Sequence, residues 1–357
     1  MALSVLILAA GKGTRMNSNS PKVLHHVGNI PMIYYSIKLA IKAKAKNIGI
    51  VISKDATEIK NFIKSLSINI KLFVQSNQLG TGHAILSAKE FETKSGDLII
   101  LYGDCPLITS DTIKKLINNK KKGAHLSVLG FLSNNQKEYG RMVVDKNNNL
   151  SKIIEYKDAD KNEKDIKFCN SGVIISKAKI LFSLLNQISN NNSAKEFYLT
   201  DIVSLANKQG LIVKSVYCSE AEAQGVNNRQ DLSEVELEFQ KNKRLEILNN
   251  GVTLKDPSSV YFSYDTEIEQ DSIVEANVIF GPGVKIKKNV LIKSFSYLEG
   301  CQVDANVVIG PFARIRPQTI LEHGVKVGNF VEIKQSTLAQ NVKVNHLSYV
   351  GDGKIGK

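Results

Sequence analysis

Short apolar runs alternate with longer stretches of helical periodicity through about residue 220. Strands separated by helix-sized intervals predict an α/β fold with a mostly parallel sheet. Ligands of such sheets bind beyond the carboxyl ends of the strands, so we expect residues 9–16 and 103–106 to meet at that edge. The runs that we predict as strands are Leu3–Leu8, Ile48–Ile52, Lys71–Val74, Leu98–Tyr102 and Leu126–Leu129.

A helical period follows between Asp231 and Asn250. Its apolar positions are Leu232, Val235, Phe239, Leu245 and Leu248, and Asn250-Gly251 supplies a helix stop. We predict a first domain over residues 1–229, a linker helix over 230–250 and a second domain over 251–357.

The second domain carries a six-residue period. This spacing fits neither a simple helix nor a single amphipathic strand, but it is typical of the hexapeptide repeat of a parallel β-helix, in which three hexads close one coil. The repeating aliphatic positions are Ile268, Val274, Phe280, Ile286, Ile292 and Leu298, then, in a shifted phase, Ile309, Ile315, Leu321, Val327 and Ile333. Four residues after the first six lie Ser272, Val278, Val284, Val290, Ser296 and Gln302, which we expect to share the interior.

The repeat continues at Leu338, Val344 and Val350, and the sequence then finishes at Gly353-Lys-Ile-Gly-Lys357. No segment that would cap a last coil follows these repeats. Because an uncapped coil exposes core and backbone edges, we expect a C-terminally truncated chain with an incomplete β-helix.

Candidate chemistry begins where the first predicted strand passes into Ala9-Ala-Gly-Lys-Gly-Thr-Arg-Met16. Gly11 and Gly13 allow a tight turn whose N–H groups approach an anion, and Lys12 and Arg15 add positive charge. Neither the Gly-x4-Gly-Lys-Ser/Thr loop nor the full Gly-x-Gly-x-x-Gly motif is present. A phosphate-binding loop and an ordinary strand-to-helix turn therefore both remain open.

Asp104 follows the predicted strand Leu98–Tyr102 and precedes Pro106. A carboxylate at this position suits Mg²⁺, which takes one or two protein oxygens and keeps its other positions for phosphates and water. A loop aspartate that caps the next helix explains the same pattern. The residues alone leave these two interpretations open, and Glu155 alone fits a solvated charge at a strand end.

Composition narrows the classes of partner. The chain has 357 residues, enough for about two domains, and a formal net charge of +13. The lysines are scattered, and the run Lys120–Lys122 has no interleaved aromatic residues, which favours solvated faces over a nucleic-acid surface. Anionic substrates suit the sign of the charge.

The four cysteines lie far apart and predict neither a zinc site nor a disulfide framework. The apolar start is too short for a signal peptide or a membrane span, so we expect a cytoplasmic protein.

The segment Leu8-Ala-Ala-Gly-Lys-Gly-Thr-Arg-Met16, with Pro21-Lys-Val-Leu24, resembles the signature of the sugar-1-phosphate nucleotidyltransferases. With the hexapeptide repeats, the match covers essentially the whole chain. Within that class, the chain resembles one bacterial family of bifunctional enzymes, which are both N-acetylglucosamine-1-phosphate uridyltransferases and glucosamine-1-phosphate acetyltransferases. Further matching segments are Gln75 with Leu79–His83, Tyr102–Asp104, Tyr139–Arg141, Asn170–Gly172, Glu196–Asp201 and Gly225–Arg229.

The resemblance implies a Rossmann-like nucleotidyltransferase domain and a left-handed β-helix. It also implies transfer of UMP from UTP to N-acetylglucosamine 1-phosphate, for cell-wall and lipopolysaccharide precursors. Arg15 and Lys22 would act on the leaving pyrophosphate, and Asp104 and Asn227 would hold Mg²⁺, with two metal positions possible. His83 has no proton to move in this reaction and receives no catalytic role. The implied nucleotide-binding residues are Leu8, Ala9, Ala10, Gly11, Lys22, Gln75, Gly80 and Thr81, and the implied sugar-binding residues are Tyr102, Gly103, Gly140, Glu155 and Asn170.

For the β-helix, the resemblance implies acetyl transfer from acetyl-CoA to glucosamine 1-phosphate, and a homotrimer. Arg316 and Lys334 match the sugar-phosphate contacts, His346 the catalytic base and Tyr349 a substrate-binding tyrosine. Asn345 departs from the glycine that is common there, which leaves the local backbone open. The coils that would hold acetyl-CoA are absent, so we expect half of an acetyltransferase site and little or no acetyl transfer. Neither a nucleic-acid partner nor a membrane span is expected.

Three other functions compete with this interpretation. A nucleotidyltransferase for ADP-glucose or dTDP-glucose would not be expected to carry Arg316, Lys334 and His346 together. A noncatalytic regulatory subunit should have lost the four residues assigned to phosphate and metal, yet all four are present: Arg15, Lys22, Asp104 and Asn227. A pure acetyltransferase is disfavoured by the intact first domain.

Overall fold

The structure is a computed structural model that describes residues 2–133, 138–147 and 149–356. The chain divides into two compact units, Met1–His25 with Pro31–Val235, and His26–Ile30 with Glu236–Lys357. The sequence analysis left residues 26–30 within the first domain. They group with the second unit because the Gly28 amide donates to Glu236 (2.8 Å) and the Gly28 carbonyl accepts from the Tyr264 amide (2.8 Å).

The elements up to the long helix are those of an alternating α/β chain. The strands are β1 (Leu3–Ala9), β2 (His26–Val27), β3 (Ile30–Pro31), β4 (Asn47–Ser53), β5 (Lys71–Gln75), β6 (Asp97–Tyr102), β7 (Leu126–Leu132), β8 (Arg141–Val144), β9 (Leu150–Ile154), β10 (Phe168–Lys177) and β11 (Val213–Cys218). The α-helices are α1 (Met32–Lys42), α2 (Thr57–Ser65), α3 (Thr81–Leu86), α4 (Ser110–Lys121), α5 (Lys161–Lys164), α6 (Ala178–Leu185), α7 (Asp201–Lys208), α8 (Glu220–Ala223) and α9 (Arg229–Asn249). Short 3₁₀ turns lie at Thr14–Met16, Lys22–Leu24, Lys89–Thr93 and, in the second unit, Pro257–Ser259.

The first unit is built on one mixed sheet in the order β11-β7-β10-β6-β1-β4-β5, with β8 and β9 attached to β10. All five predicted apolar runs lie in strands, as predicted. The prediction of a mostly parallel sheet holds for β6, β1, β4 and β5, but β10 runs antiparallel between β6 and β7. Because β10 runs opposite to β6, the chain enters β10 from the carboxyl edge of its neighbours. The hairpin β8–β9 pairs with β10 at that edge.

Helices cover both faces of this sheet. Leu6 and Leu8 of β1 belong to a buried cluster with side chains of α3, α6 and α7. Val5 and Ile7 belong to a second cluster with side chains of α1, α2 and α4. A strand with apolar side chains on both faces is typical of a buried parallel sheet, which explains why β1 reads as a continuous apolar run.

The second unit is a β-helix of two- and three-residue strands. They form three parallel sheets, in the orders β12-β14-β17-β20-β23-β26, β13-β16-β19-β22-β25-β28 and β15-β18-β21-β24-β27. The strands are β12 (Thr253–Leu254), β13 (Glu267–Ile268), β14 (Ile273–Val274), β15 (Ile279–Phe280), β16 (Lys285–Ile286), β17 (Leu291–Ile292), β18 (Tyr297–Leu298), β19 (Cys301–Val303), β20 (Val308–Ile309), β21 (Arg314–Ile315), β22 (Thr319–Leu321), β23 (Lys326–Val327), β24 (Glu332–Lys334), β25 (Thr337–Leu338), β26 (Lys343–Val344), β27 (Tyr349–Gly351) and β28 (Lys354–Ile355).

The shifted phase of the repeat comes from one shorter coil. Ile268 pairs with Ile286, eighteen residues on, whereas Ile286 pairs with Val303, seventeen residues on. The expectation that Gln302 lies inside the coil is therefore wrong. The shortened coil places Cys301 in the interior and turns Gln302 outward.

The predicted helix is present as α9. The prediction of its apolar face is wrong for the last two positions. Leu245 and Leu248 are exposed, and Ile247 is buried in the β-helix core instead. Gln240 fixes this rotation of the helix, because its amide donates to the Phe262 carbonyl (2.7 Å) and accepts from the Phe262 N–H (2.9 Å). Neither α9 nor any other helix within the described ranges is long and apolar enough to cross a membrane.

Two isoleucines in the β-helix allow a matched test of its interior. Ile315 is completely buried, whereas Ile320, in the same coil, is 41% exposed. We expect Ile315→Ala to lower the free energy of unfolding by about 2–5 kcal/mol, because it leaves a cavity, and Ile320→Ala to lower it by less than about 1 kcal/mol. Urea unfolding of the two variants would measure this difference, and equal losses would contradict the assigned interior.

Candidate functional site

The candidate site lies at the carboxyl edge of the central strands of the first unit. Leu8 of β1 pairs with Tyr102 of β6, and the Gly103 amide donates to the Leu8 carbonyl (3.0 Å). The loops after β1 and β6 therefore meet, as the sequence predicts. Gly103 itself packs closely, because a Cβ there would lie 3.2 Å from the Val23 side chain and 3.5 Å from Cβ of Ala9.

One cavity collects the predicted nucleotide-binding residues. Its walls come from the loops after β1, β5 and β6 and from the start of α3. Tyr102 and Asp104 line it together with these residues, so the carboxyl edge brings the nucleotide residues next to the proposed metal ligand. The lining residues are Leu8, Ala9, Ala10, Gly11, Lys22, Val23, Gln75, Gln78, Gly80, Thr81, Ala84, Tyr102, Asp104 and Glu196.

The loop after β1 is shaped by its contact with Lys22. Gly13 has a φ of +63°, in the left-handed region, and a Cβ added to it would lie 2.6 Å from Cβ of Lys22. A larger residue at position 13 would displace Lys22, so this glycine is required both by backbone conformation and by packing. On the other side of the loop, the Gln78 amide donates to the Ala10 carbonyl (2.5 Å).

Lys22 lies between the two residues proposed as metal ligands. Its ammonium forms an ion pair with Asp104, and both side chains are largely buried. The same nitrogen lies 3.2 Å from Oδ1 of Asn227. The Val226 amide donates to the Asp104 carbonyl (3.0 Å), which fixes the loop that carries Asn227 beside the end of β6. Three segments far apart in sequence thus converge on one charged centre.

The donor set at this centre fits a hard divalent cation. A carboxylate oxygen of Asp104 and the amide oxygen of Asn227 both lie within hydrogen-bond distance of the Lys22 nitrogen, so they converge on one point. Within the described residues, no three histidine, cysteine, aspartate or glutamate side chains gather as a metal site. Two protein oxygens are the kind of partial ligand set from which Mg²⁺ is held together with substrate phosphates.

Gln75 and Gly80 form the wall of the cavity at the start of α3. Gln75 is buried, and its amide nitrogen donates to the Gly80 carbonyl (3.1 Å). Gly80 has a φ of +107°, and a Cβ there would lie 2.7–2.8 Å from backbone atoms of Phe197. Only glycine fits this position, so the backbone that borders the cavity is tightly held.

Glu155, Gly140 and Asn170 come together beside this cavity. A Cβ on Gly140 would lie 3.5 Å from Oε2 of Glu155 and 3.6 Å from Cβ of Asn170. The Thr200 hydroxyl donates to Oε1 of Glu155 (2.9 Å). Burial raises the pKa of Glu155 above its ordinary value despite this hydrogen bond. A half-buried carboxylate that keeps one oxygen beside a glycine can accept a hydrogen bond from a ligand hydroxyl.

Tyr102 lies between the two halves of the site. Burial is the main reason that its pKa lies well above the ordinary value, and the nearby Glu155 and Asp104 carboxylates add to the effect. The phenol therefore stays neutral and acts as a hydrogen-bonding wall. Gly172 is needed next to it, because a Cβ there would lie 2.5 Å from the Tyr102 ring.

Arg15 lies away from this cavity. Its guanidinium is exposed and lies 3.9 Å from Oε2 of Glu138. It lines a second cavity with Asn227, and Asn227 is bonded to Lys22. Arg15 thus lies in a cavity that neighbours the charged centre and shares Asn227 with it.

Three of the four predicted residues of the second unit lie along one sheet: Arg316 directly follows β21, Lys334 ends β24 and Tyr349 begins β27, whereas His346 lies in the turn before β27. Arg316 pairs with Glu332 (2.8 Å), and Lys334 lies 3.6 Å from Asp352. Tyr349 and His346 are exposed. The two cations of this sheet, Arg316 and Lys334, thus already have carboxylate partners.

The sequence analysis missed three residues of the first site. Gln78 holds the Ala10 carbonyl, Glu196 lines the cavity, and Thr200 orients Glu155. The matching segment Glu196–Asp201 contained the signal for two of them, although it carried no assigned role. Gln78 directly precedes the matching segment Leu79–His83, and this position next to a motif was the signal that could have identified it.

Comparisons with known proteins agree with this architecture. A family profile described as nucleotidyl transferase matches residues 4–221. The bifunctional protein GlmU of Bartonella quintana (strain Toulouse) is 42% identical over 352 residues, which cover 98% of this chain and 78% of that protein. The bifunctional protein GlmU of Wolbachia pipientis wMel is 42% identical and is matched over 99% of this chain and 81% of that protein.

A solved structure supports the fold of the first unit. A Bacillus anthracis protein assigned as a glucose-1-phosphate thymidylyltransferase, crystallised with a sucrose, superposes with a TM-score of 0.55. It is 19% identical and covers 66% of this chain and 94% of its own, so this likeness bears on the fold alone. These comparisons and the three parallel sheets confirm the predicted fold class, a Rossmann-like nucleotidyltransferase domain followed by a left-handed β-helix.

The raised pKa of Glu155 generates a stability prediction. The folded state binds this proton more tightly than the unfolded chain, so the ionised side chain destabilises the fold above the ordinary glutamate range, near pH 4. We expect Glu155→Gln to raise the thermal unfolding midpoint at neutral pH, and the advantage to shrink as the pH falls toward 4. Calorimetry across this pH range would measure it.

Glu163→Gln is the matched control, because a hydrogen bond from Lys152 lowers the pKa of this partly exposed glutamate. Its substitution should not stabilise the protein at neutral pH. If Glu155→Gln were no more stable than the parent at any pH, the claim that ionised Glu155 destabilises the folded protein would be wrong.

Proposed function

This chain belongs to the nucleotidyl transferase family and, within it, to the bifunctional GlmU proteins, and from this premise we propose what its first site does. The first unit transfers UMP from UTP to N-acetylglucosamine 1-phosphate, which gives UDP-N-acetylglucosamine and pyrophosphate. The observation that carries this proposal is the convergence of Lys22, Asp104 and Asn227 beside the nucleotide cavity. The product would feed cell-wall and lipopolysaccharide precursor synthesis in the cytoplasm.

The reaction is a single displacement at phosphorus. A phosphate oxygen of the sugar phosphate forms a bond to the α-phosphorus of UTP, and the bond from this phosphorus to the bridging oxygen of the β-phosphate breaks. The nucleophile is already an anion, so no general base is required. The protein must instead bring two anions together and neutralise charge in the transition state.

Lys22 is the residue best placed for this task. Its ammonium lies at the cavity wall beside Asp104, where it can contact the phosphates of UTP and stabilise the leaving pyrophosphate. Arg15 is exposed in the neighbouring cavity and can reach the same phosphates only by reorienting. Asp104 and Asn227 would hold Mg²⁺, which when bound supplies charge neutralisation and polarises the phosphate that is attacked.

The two ends of the cleft divide substrate recognition. Gln75 and the backbone at Ala9, Gly80 and Thr81 line the part that would receive uracil. Glu155, Gly140 and Asn170 lie on the side of the hairpin β8–β9 and would receive the sugar, with Glu155 accepting a hydroxyl hydrogen bond.

The second unit carries the residues proposed for the acetyltransferase half. Arg316 and Lys334 would bind the phosphate of glucosamine 1-phosphate. His346 would accept the amine proton as the amine attacks acetyl-CoA, a task that suits an imidazole because its ordinary pKa lies near neutrality. Tyr349, on the next rung to Glu332, would contact the substrate.

One observation favours the hypothesis that the first unit is an enzyme over the hypothesis that it is a noncatalytic regulatory subunit. A binding protein would have no need of a largely buried lysine and aspartate beside a nucleotide cavity, because burying such a pair costs desolvation energy. The alternative nucleotidyltransferases, which make ADP-glucose or dTDP-glucose, differ from the proposed enzyme in the nucleotide that they use. A comparison of UTP with ATP and dTTP therefore distinguishes them.

Pyrophosphate release tests the function and the charged centre together. With Mg²⁺ and N-acetylglucosamine 1-phosphate, we expect turnover with UTP and little with ATP or dTTP. We expect Asp104→Asn to lower kcat by about 10²- to 10³-fold, since it would weaken the binding of Mg²⁺, whose positive charge the anionic transition state requires. Initial rates of pyrophosphate formation measure both effects.

Asp145→Asn is the control, because Asp145 is an exposed aspartate that accepts hydrogen bonds within the turn before β9. It should retain parental activity. Parental activity of folded Asp104→Asn would exclude the assigned centre, and equal rates with UTP and dTTP would exclude the uridyltransferase.

We also propose that the β-helix associates as a homotrimer. An exposed column of apolar side chains supports this proposal. Phe295, Phe312 and Phe330 stack with ring centroids 5.0 Å apart at one corner of successive coils, and Leu347 extends the column. An exposed apolar column of this kind marks an interaction surface, and a second copy of the same helical unit offers a matching one.

Phe312→Ser tests this surface. It interrupts the column at its middle, so we expect the sedimenting species to shift from the oligomer toward the monomer. Ile320→Ser, which removes an exposed apolar side chain from another sheet, should leave the sedimentation unchanged. Dissociation by Ile320→Ser alone would place the interface elsewhere.

A further inference from the structure

The ammonium group of Lys22 contacts both of the oxygens that are proposed to hold Mg²⁺. Its nitrogen forms an ion pair with Oδ2 of Asp104 and lies 3.2 Å from Oδ1 of Asn227. An ammonium group has three hydrogens to donate and cannot accept a hydrogen bond, so the atoms that face it must be acceptors. The side-chain oxygens of Asp104 and Asn227 therefore both point at the Lys22 nitrogen.

These two oxygens cannot serve the ammonium group and a metal ion at once. The other oxygen of Asp104, Oδ1, is engaged by the Cys105 thiol, which donates to it (3.7 Å). Asn227 has only one side-chain oxygen. A Mg²⁺ ion approaches its oxygen ligands to about 2.1 Å, which is closer than a hydrogen-bonded nitrogen comes. A cation held by both oxygens would therefore take the place of the Lys22 ammonium group.

The part of this centre that can move aside is the Lys22 side chain. The segments that carry the two oxygens are held by hydrogen bonds, from the Val226 amide to the Asp104 carbonyl (3.0 Å) and from the Asn227 amide to Oδ2 of Asp231 (2.9 Å). Lys22 reaches the centre on a flexible four-carbon chain and also lines the nucleotide cavity. Its ammonium group can thus turn toward a ligand while both oxygens stay in place.

We propose that Lys22 blocks the cation site until a nucleoside triphosphate draws its ammonium group onto the phosphates, so that nucleotide binding opens the site to the metal. This proposal rests on the proposed uridyltransferase. In the nucleotide-free protein, the apparent affinity for a divalent cation is reduced by the fraction of molecules in which Lys22 has left the two oxygens. A triphosphate increases this fraction because it offers the ammonium group another anionic partner.

The burial of the ion pair makes the exchange tightly coupled. The side chains of Lys22 and Asp104 are only 12% and 17% exposed. A largely buried carboxylate that loses its counter-charge is strongly destabilised, so Asp104 attracts a replacement cation once Lys22 turns to the phosphates. By linkage, the cation raises the affinity for the nucleotide by the same factor. Nucleotide and metal are therefore taken up together.

Mn²⁺ binding to the nucleotide-free protein tests the proposal without any turnover. Mn²⁺ suits the same oxygen ligands as Mg²⁺, and electron paramagnetic resonance measures its unbound fraction. Lys22→Met removes the competing charge and should raise the affinity for Mn²⁺ at least about tenfold, although it should lower pyrophosphate release. Lys22→Gln keeps a hydrogen-bond donor without the charge and should give a smaller increase. It carries the test if Lys22→Met does not fold, which thermal unfolding would establish.

Lys120→Met is the matched control, because Lys120 belongs to another largely buried ion pair. Its nitrogen lies 3.5 Å from Oδ1 of Asp97, both side chains are 10% exposed, and neither residue lines the nucleotide cavity. The affinity for Mn²⁺ should stay at the parental value in this variant. Asp104→Asn added to either Lys22 variant should remove most of the gained affinity, because it removes the charged ligand.

A parental affinity for Mn²⁺ in the folded Lys22 variants would overturn the proposal. A gain that survives Asp104→Asn, or an equal gain in Lys120→Met, would also overturn it. If the parent protein released no pyrophosphate with any nucleotide, the proposed function would fail, whereas the Mn²⁺ titrations would still test the exchange. Turnover by the parent with no gain of Mn²⁺ affinity in the Lys22 variants would reject the exchange and leave the proposed function standing.

Discussion

The first unit depends on the placement of one largely buried ammonium group beside a carboxylate. Lys22, Asp104 and Asn227 come from the start, the middle and the end of this unit, and only the completed sheet brings them together. The desolvation cost of such a pair is offset only when its geometry is held firmly. Gly13 leaves space for Lys22, β6 presents Asp104, and the Val226 amide anchors the segment with Asn227.

This placement determines the kind of chemistry that the site can perform. The centre offers charge and alignment and needs neither an activated nucleophile on the protein nor a general base. The acidic and aromatic side chains beside it have a complementary role. Glu155 remains half-buried at a cost in stability, and Tyr102 stays neutral, so polar recognition is concentrated where the sugar would bind. Sites that bind ligands commonly keep such unfavourable groups.

The sequence predicts the elements of this protein better than their exact placement. The strand β1, the six-residue repeat and the helix α9 follow from hydrophobic periodicity, which local side-chain patterns determine. The antiparallel β10, the buried Cys301 and the exposed Leu245 depend on pairing between distant segments, which a period does not encode. In the site, motif matching identified Lys22, Asp104 and Asn227, but their mutual contact and the support from Gln78 and Thr200 required the fold.

The central claim is that the first unit joins the α-phosphorus of UTP directly to the sugar phosphate. Label transfer tests it most directly, with UTP labelled at the α-phosphorus, N-acetylglucosamine 1-phosphate, Mg²⁺ and the purified chain. The account predicts that the label moves into UDP-N-acetylglucosamine, with one unlabelled pyrophosphate released for each product formed. Label that stays in UTP, with protein shown to be folded, would contradict the claim.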